Sequence, residues 1–300
     1  MFAPAHLPDL HTLSLEDHAN SIEDALQLIR TTSRPHIHVA LASSYPQVNE
    51  GVETVENFAR SLEEVKAFAV RNTSGFVASE TTIQRLQIQA RGDVPIFNLW
   101  IGEGSHYAGS REPDISLRVP CFFNFTDCIP VIQEQFGPAE KIALHLVQPE
   151  LLTGTTSKTE QTRRVLSRLP QLKTITFEGV RLTFDSLHAT LRRRPRPDPN
   201  PNTLHDLDRM EFPGLSTVNF VGVKIRDRGD RSSVANLNHV LKTRALKGHP
   251  IPKIHFKEIH GLSAADFEEI RKGLSDVDLT WDRLEEPERV VPRIGHRDIV

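Results

Sequence analysis

Residues 169–182 read LPQLKTITFEGVRL, and residues 212–225, displaced by 43 positions, read FPGLSTVNFVGVKI. Two lines this similar call for two similar local structures. The shared pattern is apolar-x-x-apolar-x-apolar-x-Gly-Val-x-apolar. Its apolar positions are Leu172, Ile175, Phe177, Val180 and Leu182 in the first copy. In the second they are Leu215, Val218, Phe220, Val223 and Ile225. Ile175 and Phe177 are two apart, as are Val218 and Phe220. Period two predicts a strand that buries alternate residues on one face. Gly179 and Gly222 follow directly, where the chain must turn out of the strand.

The shorter core of the pattern, apolar-x-x-apolar-x-apolar, recurs along the chain. It appears as Leu10/Leu13/Leu15, Ile83/Leu86/Ile88, Val94/Phe97/Leu99 and Ala139/Ile142/Leu144, and again as Ile251/Ile254/Phe256 and Leu274/Val277/Leu279. Ile37/Val39 and Ile115/Leu117 read as degenerate copies. Three copies open with a proline, Pro8, Pro170 and Pro213. Helical patterns sit between many of them. Ile22, Ala25, Leu26 and Ile29 share one helical face, with Ser21 placed to cap it. Val234, Leu237, Val240 and Leu241 form another face, and Phe267, Ile270 and Leu274 a third, capped by Ser263. TFDSLHATL, from Thr183, extends the theme after the first quoted line. Each unit therefore reads as strand, turn, helix. One such unit cannot bury both its apolar faces, but stacked copies can.

The L-x-x-L-x-L core, written here as LPDLHTLSL and LPQLKTITF, resembles the leucine-rich repeat. The LP-x-L openings and long, irregular spacing are most similar to the repeat region of the fungal F-box/leucine-rich-repeat family, over roughly residues 7 to 282. That resemblance implies an α/β fold: an irregular leucine-rich-repeat-like solenoid of strand-turn-helix units with a mainly parallel sheet. It implies a domain over 1–282, less regular at 90–135, with a protruding Pro-rich loop at 194–206 and a charged tail at 283–300. Residues 90–135 read as short strands with a Gly-rich loop and a local hairpin. There are departures from the family. Val180 and Val223 stand where Asn or Cys is usual, and the first apolar positions from Ala139 to Leu274 are spaced 33, 43, 36 and 23 residues apart. No F-box leader precedes the first repeat at Leu7, so binding to an F-box adaptor is not expected for the chain as written.

Such an architecture would place function on the strand positions that alternate with buried ones. These read Thr12, Ser14 and Glu16; Arg85, Gln87 and Gln89; Lys141 and His145; Thr174, Thr176 and Glu178; Thr217 and Asn219; Lys253, His255 and Lys257; Asp276, Asp278 and Thr280. The expected contact set for a protein partner of unknown identity is Thr176, Glu178, Asn219, Lys253, His255, Lys257, Asp276 and Asp278. The resemblance implies a non-enzymatic protein-protein interaction scaffold, like the substrate-recognition repeat region of F-box proteins in ubiquitin ligases.

The alternative is an enzyme with a site near residues 100–128, where Glu103, His106, Asp114 and Cys121 would converge in a pocket. GEGSHYAG, residues 102–109, has neither phosphate-loop nor nucleophile-elbow spacing and reads as a loop. His36-Ile-His38 puts two imidazoles on one strand face, the start of a metal site with no third ligand to name, so no metal or cofactor is expected. RRRPRP at 192–197 is the one dense basic run, read first as a helix end. The net charge of −3 exerts no global pull on nucleic acid or anionic membrane. Two cysteines, Cys121 and Cys128, fit a reducing, intracellular compartment, cytoplasm or nucleus, better than a disulfide framework.

Overall fold

The computed structural model describes residues 4–31, 35–41, 51–71, 83–91, 94–101, 112–119, 125–137, 139, 141–146, 162–163, 165–167, 169–179, 191, 212–223, 231–260, 262–274 and 276–282. The TFDSLHATL stretch, the 192–197 and 194–206 segments, the 102–109 loop and the 283–300 tail lie outside them.

The strands are β1 (Ala5–His6), β2 (Thr12–Asp17), β3 (Ile29–Arg30), β4 (His36–Leu41), β5 (Ile83–Arg91), β6 (Val94–Ile101) and β7 (Ile115–Arg118). They continue as β8 (Lys141–Leu146), β9 (Leu172–Glu178), β10 (Thr217–Val221), β11 (Lys253–Lys257) and β12 (Asp278–Trp281). The long helices among the described residues are α1 (Ala19–Leu28), α2 (Gly51–Arg71), α3 (Phe125–Phe136), α4 (Arg231–Leu246) and α5 (Ala264–Gly273).

Ten strands form one sheet in the order β2-β4-β7-β6-β5-β8-β9-β10-β11-β12, while β1 and β3 pair separately in parallel. This corrects the expected solenoid. The fold is α/β with a large mixed sheet, mostly parallel but with β6 antiparallel to both β5 and β7. The reason lies in chain length. Only Gly92 and Asp93 separate β5 from β6, and a parallel crossover needs a dozen residues or more. The chain must fold back as a hairpin, while the hairpin expected within 90–135 corresponds to the antiparallel β6–β7 pair. The β5–β6–β7 meander then fills the space between β4 and β8, and the strand-turn-helix alternation stops there.

From β8 to β12 the pairing is parallel throughout, and the repeated lines fall into register. Ile175 pairs with Val218, and Phe177 with Phe220. Val218 in turn pairs with Ile254, and Phe220 with Phe256. The rings of Phe177 and Phe220 stack at 5.8 Å and 14°, and those of Phe220 and Phe256 at 5.3 Å and 11°. Phe267 of α5 closes the stack edge-on at 6.2 Å from Phe256 and lies 5.2 Å from Trp281. All three stacked phenylalanines are fully buried. The inward strand residues join Ile22 and Leu26 of α1, Phe58, Leu62 and Val65 of α2, Ile132 of α3, Leu237 and Val240 of α4 and Ile270 of α5 in one continuous core. The helices thus cover one face of the sheet.

The proline-opened copies share a turn. Leu10 N donates to Leu7 O, Leu172 N to Leu169 O and Leu215 N to Phe212 O. Proline sits second in each, where its fixed φ suits a β-turn. Successive turns also touch: a Cβ on Gly214 would lie 2.1 Å from the Pro170 carbonyl oxygen, so only glycine fits. Gly179 and Gly222 leave their strands at φ 114° and 62°, as their position implied. Ser263 caps α5 through a capping box, accepting from Asp266 N at 3.1 Å while Asp266 accepts from Ser263 N. The expected cap at Ser21 is displaced. α1 starts three residues earlier than a cap at Ser21 implies, and its N-cap position is His18, which makes no side-chain capping bond.

Phe220 is stacked on both sides, so Phe220→Ala should cost about 3–5 kcal/mol, the range for a buried aromatic, and Phe177→Ala should cost less within that range. Urea unfolding checks both, and shifts below about 1 kcal/mol would remove the shared-core account. Gly214→Ala should also destabilise, because the clash is with a backbone carbonyl that cannot rotate away.

Candidate protein-interaction face

Residues in register on neighbouring strands point the same way, about 4.8 Å apart. The face opposite the helices can therefore be read in rows. One row runs Ser14, His38, Ser116, Asn98, Gln87, Ala143, Thr174, Thr217, Lys253 and Asp278. The next runs Glu16, Ala40, Arg118, Ile96, Gln89, His145, Thr176, Asn219, His255 and Thr280. Beyond it, Glu178, Val221 and Lys257 are aligned. These are the positions whose alternation with the buried set was legible in the sequence.

Seven of the eight expected contact residues share this face: Thr176, Glu178, Asn219, Lys253, His255, Lys257 and Asp278. Asp276 does not belong to a strand; it lies in the turn that precedes β12. The strand is shorter than the Leu274/Val277/Leu279 spacing suggests, because Val277 N bonds Leu274 O in a turn after α5.

Side chains stitch the face from strand to strand. Asn219 Nδ2 donates to Thr176 Oγ1 at 2.9 Å. His145 Nε2 lies 2.5 Å from Glu178 Oε2, and His255 Nδ1 lies 2.5 Å from Thr280 Oγ1. Asn98 Nδ2 and Gln89 Nε2 both reach Gln87 Oε1, at 3.5 and 3.4 Å. Both Asp282 carboxylate oxygens accept from Glu258 N at 3.0 Å, and Lys257 pairs with Glu258 at 3.7 Å. Lys253 and Lys257 are exposed, with Lys253 in register with Asp278. The result is a platform whose polar groups are held by one another and by the pleat.

The pattern reading omitted β6 and β7, whose outward residues are part of the same face. Trp100 is there, 9% exposed, with the Arg85 guanidinium 4.6 Å above its ring. The signal was available: Trp100, Asn98 and Ile96 alternate with Phe97 and Leu99, which the repeat pattern already placed inward.

Of the four residues named for the enzyme alternative, the structure describes Asp114 alone. Glu103, His106 and Cys121 lie outside the described residues. Asp114 serves the backbone, its Oδ2 accepting from Ile101 N at 2.7 Å. His36 Nδ1 is 2.9 Å from the Pro113 carbonyl oxygen and its Nε2 3.6 Å from Glu112. Among the described residues no group of three or more His, Cys, Asp or Glu is placed to hold a metal ion, and no helix is long and apolar enough to cross a membrane. Cys128 is a buried free thiol in α3, its pKa pushed up to about 12 by burial first and by the adjacent Asp127 carboxylate second.

Compared with known proteins, the chain matches no family model and no curated protein.

Because the thiolate is the reactive form, Cys128 in a Cys121→Ser background should resist alkylation at neutral pH until denaturant is added. Its folded pKa lies above the ordinary value of 9.0, so its contribution to stability is full below pH 9 and lost as pH rises towards 12. Rapid labelling of the native protein at neutral pH would contradict the burial.

Proposed function

We propose that the chain is a non-enzymatic protein-binding scaffold, and that its contact surface is the face of the ten-stranded sheet opposite the described helices. The observation that carries this reading is the cross-strand stitching of a broad polar face: Asn219 to Thr176, His145 to Glu178, and His255 to Thr280. A platform already ordered by its own packing loses little conformational entropy when a partner docks. A substrate-receptor role of the kind suggested by the F-box family resemblance, in the cytoplasm or nucleus, is one form such a scaffold would take.

On this reading Lys253, Lys257 and Asp278 set partner orientation and association rate more than final affinity. Reversing Lys253 and Lys257 to Glu should change stability by no more than about 1 kcal/mol, the scale of a cross-strand like-charge pair with Asp278. The same double reversal should weaken capture of partners from the native cell, more at low salt than at high. An unchanged partner list from affinity capture, together with loss of partners on charge reversal at 192–197, would move the site to the basic run.

A further inference from the structure

The face opposite the described helices carries its charges unevenly. Arg85 and Lys141 are direct register partners on β5 and β8. Like charges placed opposite each other in a sheet repel, yet no carboxylate is paired with either among the described residues. Lys141 and Arg118 are exposed, and neither makes an ion pair among the described residues. Arg85 is exposed too, and its guanidinium lies over the ring of Trp100. The nearby carboxylates are otherwise engaged. Asp114, at the entry to β7, accepts from Ile101 N, Glu112 lies 3.6 Å from His36, and Glu178 is engaged by His145, while Glu16 lies on β2 at one end of the sheet and Asp278 and Asp282 lie at the other. Between the cations sit uncharged hydrogen-bonding groups, Gln87, Gln89, Asn98 and Ser116.

We propose that this central patch over β7, β6, β5 and β8 docks an acidic peptide segment of the partner, with Arg85 and Lys141 as its principal carboxylate contacts and Arg118 at its far end. The proposal rests on the protein-binding reading above and adds the chemistry of the partner. Arg118 lies two strands from Arg85 and four residues along, about 10 Å across and 13 Å down the sheet, so roughly 16 Å separates them. An extended segment of about five residues covers that span. Indole stacking holds the Arg85 guanidinium, so little side-chain freedom is lost when its planar fork meets a carboxylate. The half-buried Gln87 and Gln89 side chains can hydrogen-bond the backbone of a peptide, while the buried Asn98 supports Gln87 from beneath. Nucleic acid fits less well. Three cations release few counterions, and Trp100 is covered by Arg85, so it offers no open ring for a base to stack on.

The test uses the full chain with labelled hexaglutamate, hexalysine and a dodecamer of single-stranded DNA, followed by fluorescence anisotropy at low and moderate salt. Saturable binding of hexaglutamate but not hexalysine is expected, weakening as salt rises. Arg85→Gln with Lys141→Gln should weaken it about tenfold, and Arg118→Gln severalfold, as charge-assisted contacts are removed. Lys242→Gln with Lys272→Gln, two exposed cations on α4 and α5, should change it less than about twofold, because neither lies on the strand face that carries Arg85 and Lys141. Lys141→Gln alone, which disturbs no stacking, should weaken binding severalfold and guards against a folding defect in the Arg85 variant. Tighter binding of the DNA through the same residues would overturn the proposal in favour of nucleic acid. Absence of hexaglutamate binding, or equal sensitivity to Lys242 and Lys272, would also overturn it. If partner capture from cells still depends on Lys253 and Lys257 in that case, the scaffold reading survives and only the acidic-segment inference falls.

Discussion

The outward face from β8 to β12 depends on one constraint, the register of its parallel strands. Side chains alternate along a strand, so a slip of one residue would send every inward residue to the other face. The Phe177–Phe220–Phe256 stack opposes such a slip, since moving any one strand would pull a buried ring out of the core and put a threonine, asparagine or histidine in its place. The turns before β9 and β10 reinforce it from outside the core, because Gly214 packs on the Pro170 carbonyl and ties one strand entry to the next. Thr176, Asn219 and His255 are aligned because the phenylalanines beside them are aligned.

How much of this was legible in the sequence follows from the same alternation. Period-two spacing is a local property, and all ten strands of the main sheet coincide with a copy or a degenerate copy of the apolar pattern. The direction of the outward residues came with it, which is why seven of eight expected contact residues fall on one face. Strand order is a long-range property. The pattern at Val94/Phe97/Leu99 is the same whether β6 runs with its neighbours or against them; only the two-residue gap after Arg91 shows that it must run against them. The error at Asp276 has the opposite origin. The spacing Leu274/Val277/Leu279 is matched by a helix end and a turn, which also bury leucine and half-bury valine without any strand. Ser21 failed as a cap for a related reason, since α1 continues through Ala19 and Asn20, which a pattern anchored on Ile22 does not see.

A net charge of −3 describes the whole chain and says nothing of how charge is arranged on one surface. On this sheet the arrangement follows from the fold. The two end strands, β2 and β12, are where another chain would find unpaired backbone groups, and natural sheets place charge at such ends to discourage edge-to-edge association. Glu16 and Asp17 stand at one end, Asp278 and Asp282 at the other, so two copies brought end to end would set carboxylate against carboxylate. Glu178 is engaged by His145, Asp114 by the Ile101 amide and Glu112 by His36, so the cations Arg85, Lys141 and Arg118 are left without carboxylate partners among the described residues, on either side of the antiparallel strand that interrupts the repeat. The hairpin enforced by two residues between β5 and β6 brings Trp100 beneath Arg85. The departure from repetition is therefore also the place where the surface acquires a chemistry that the repeated lines do not carry.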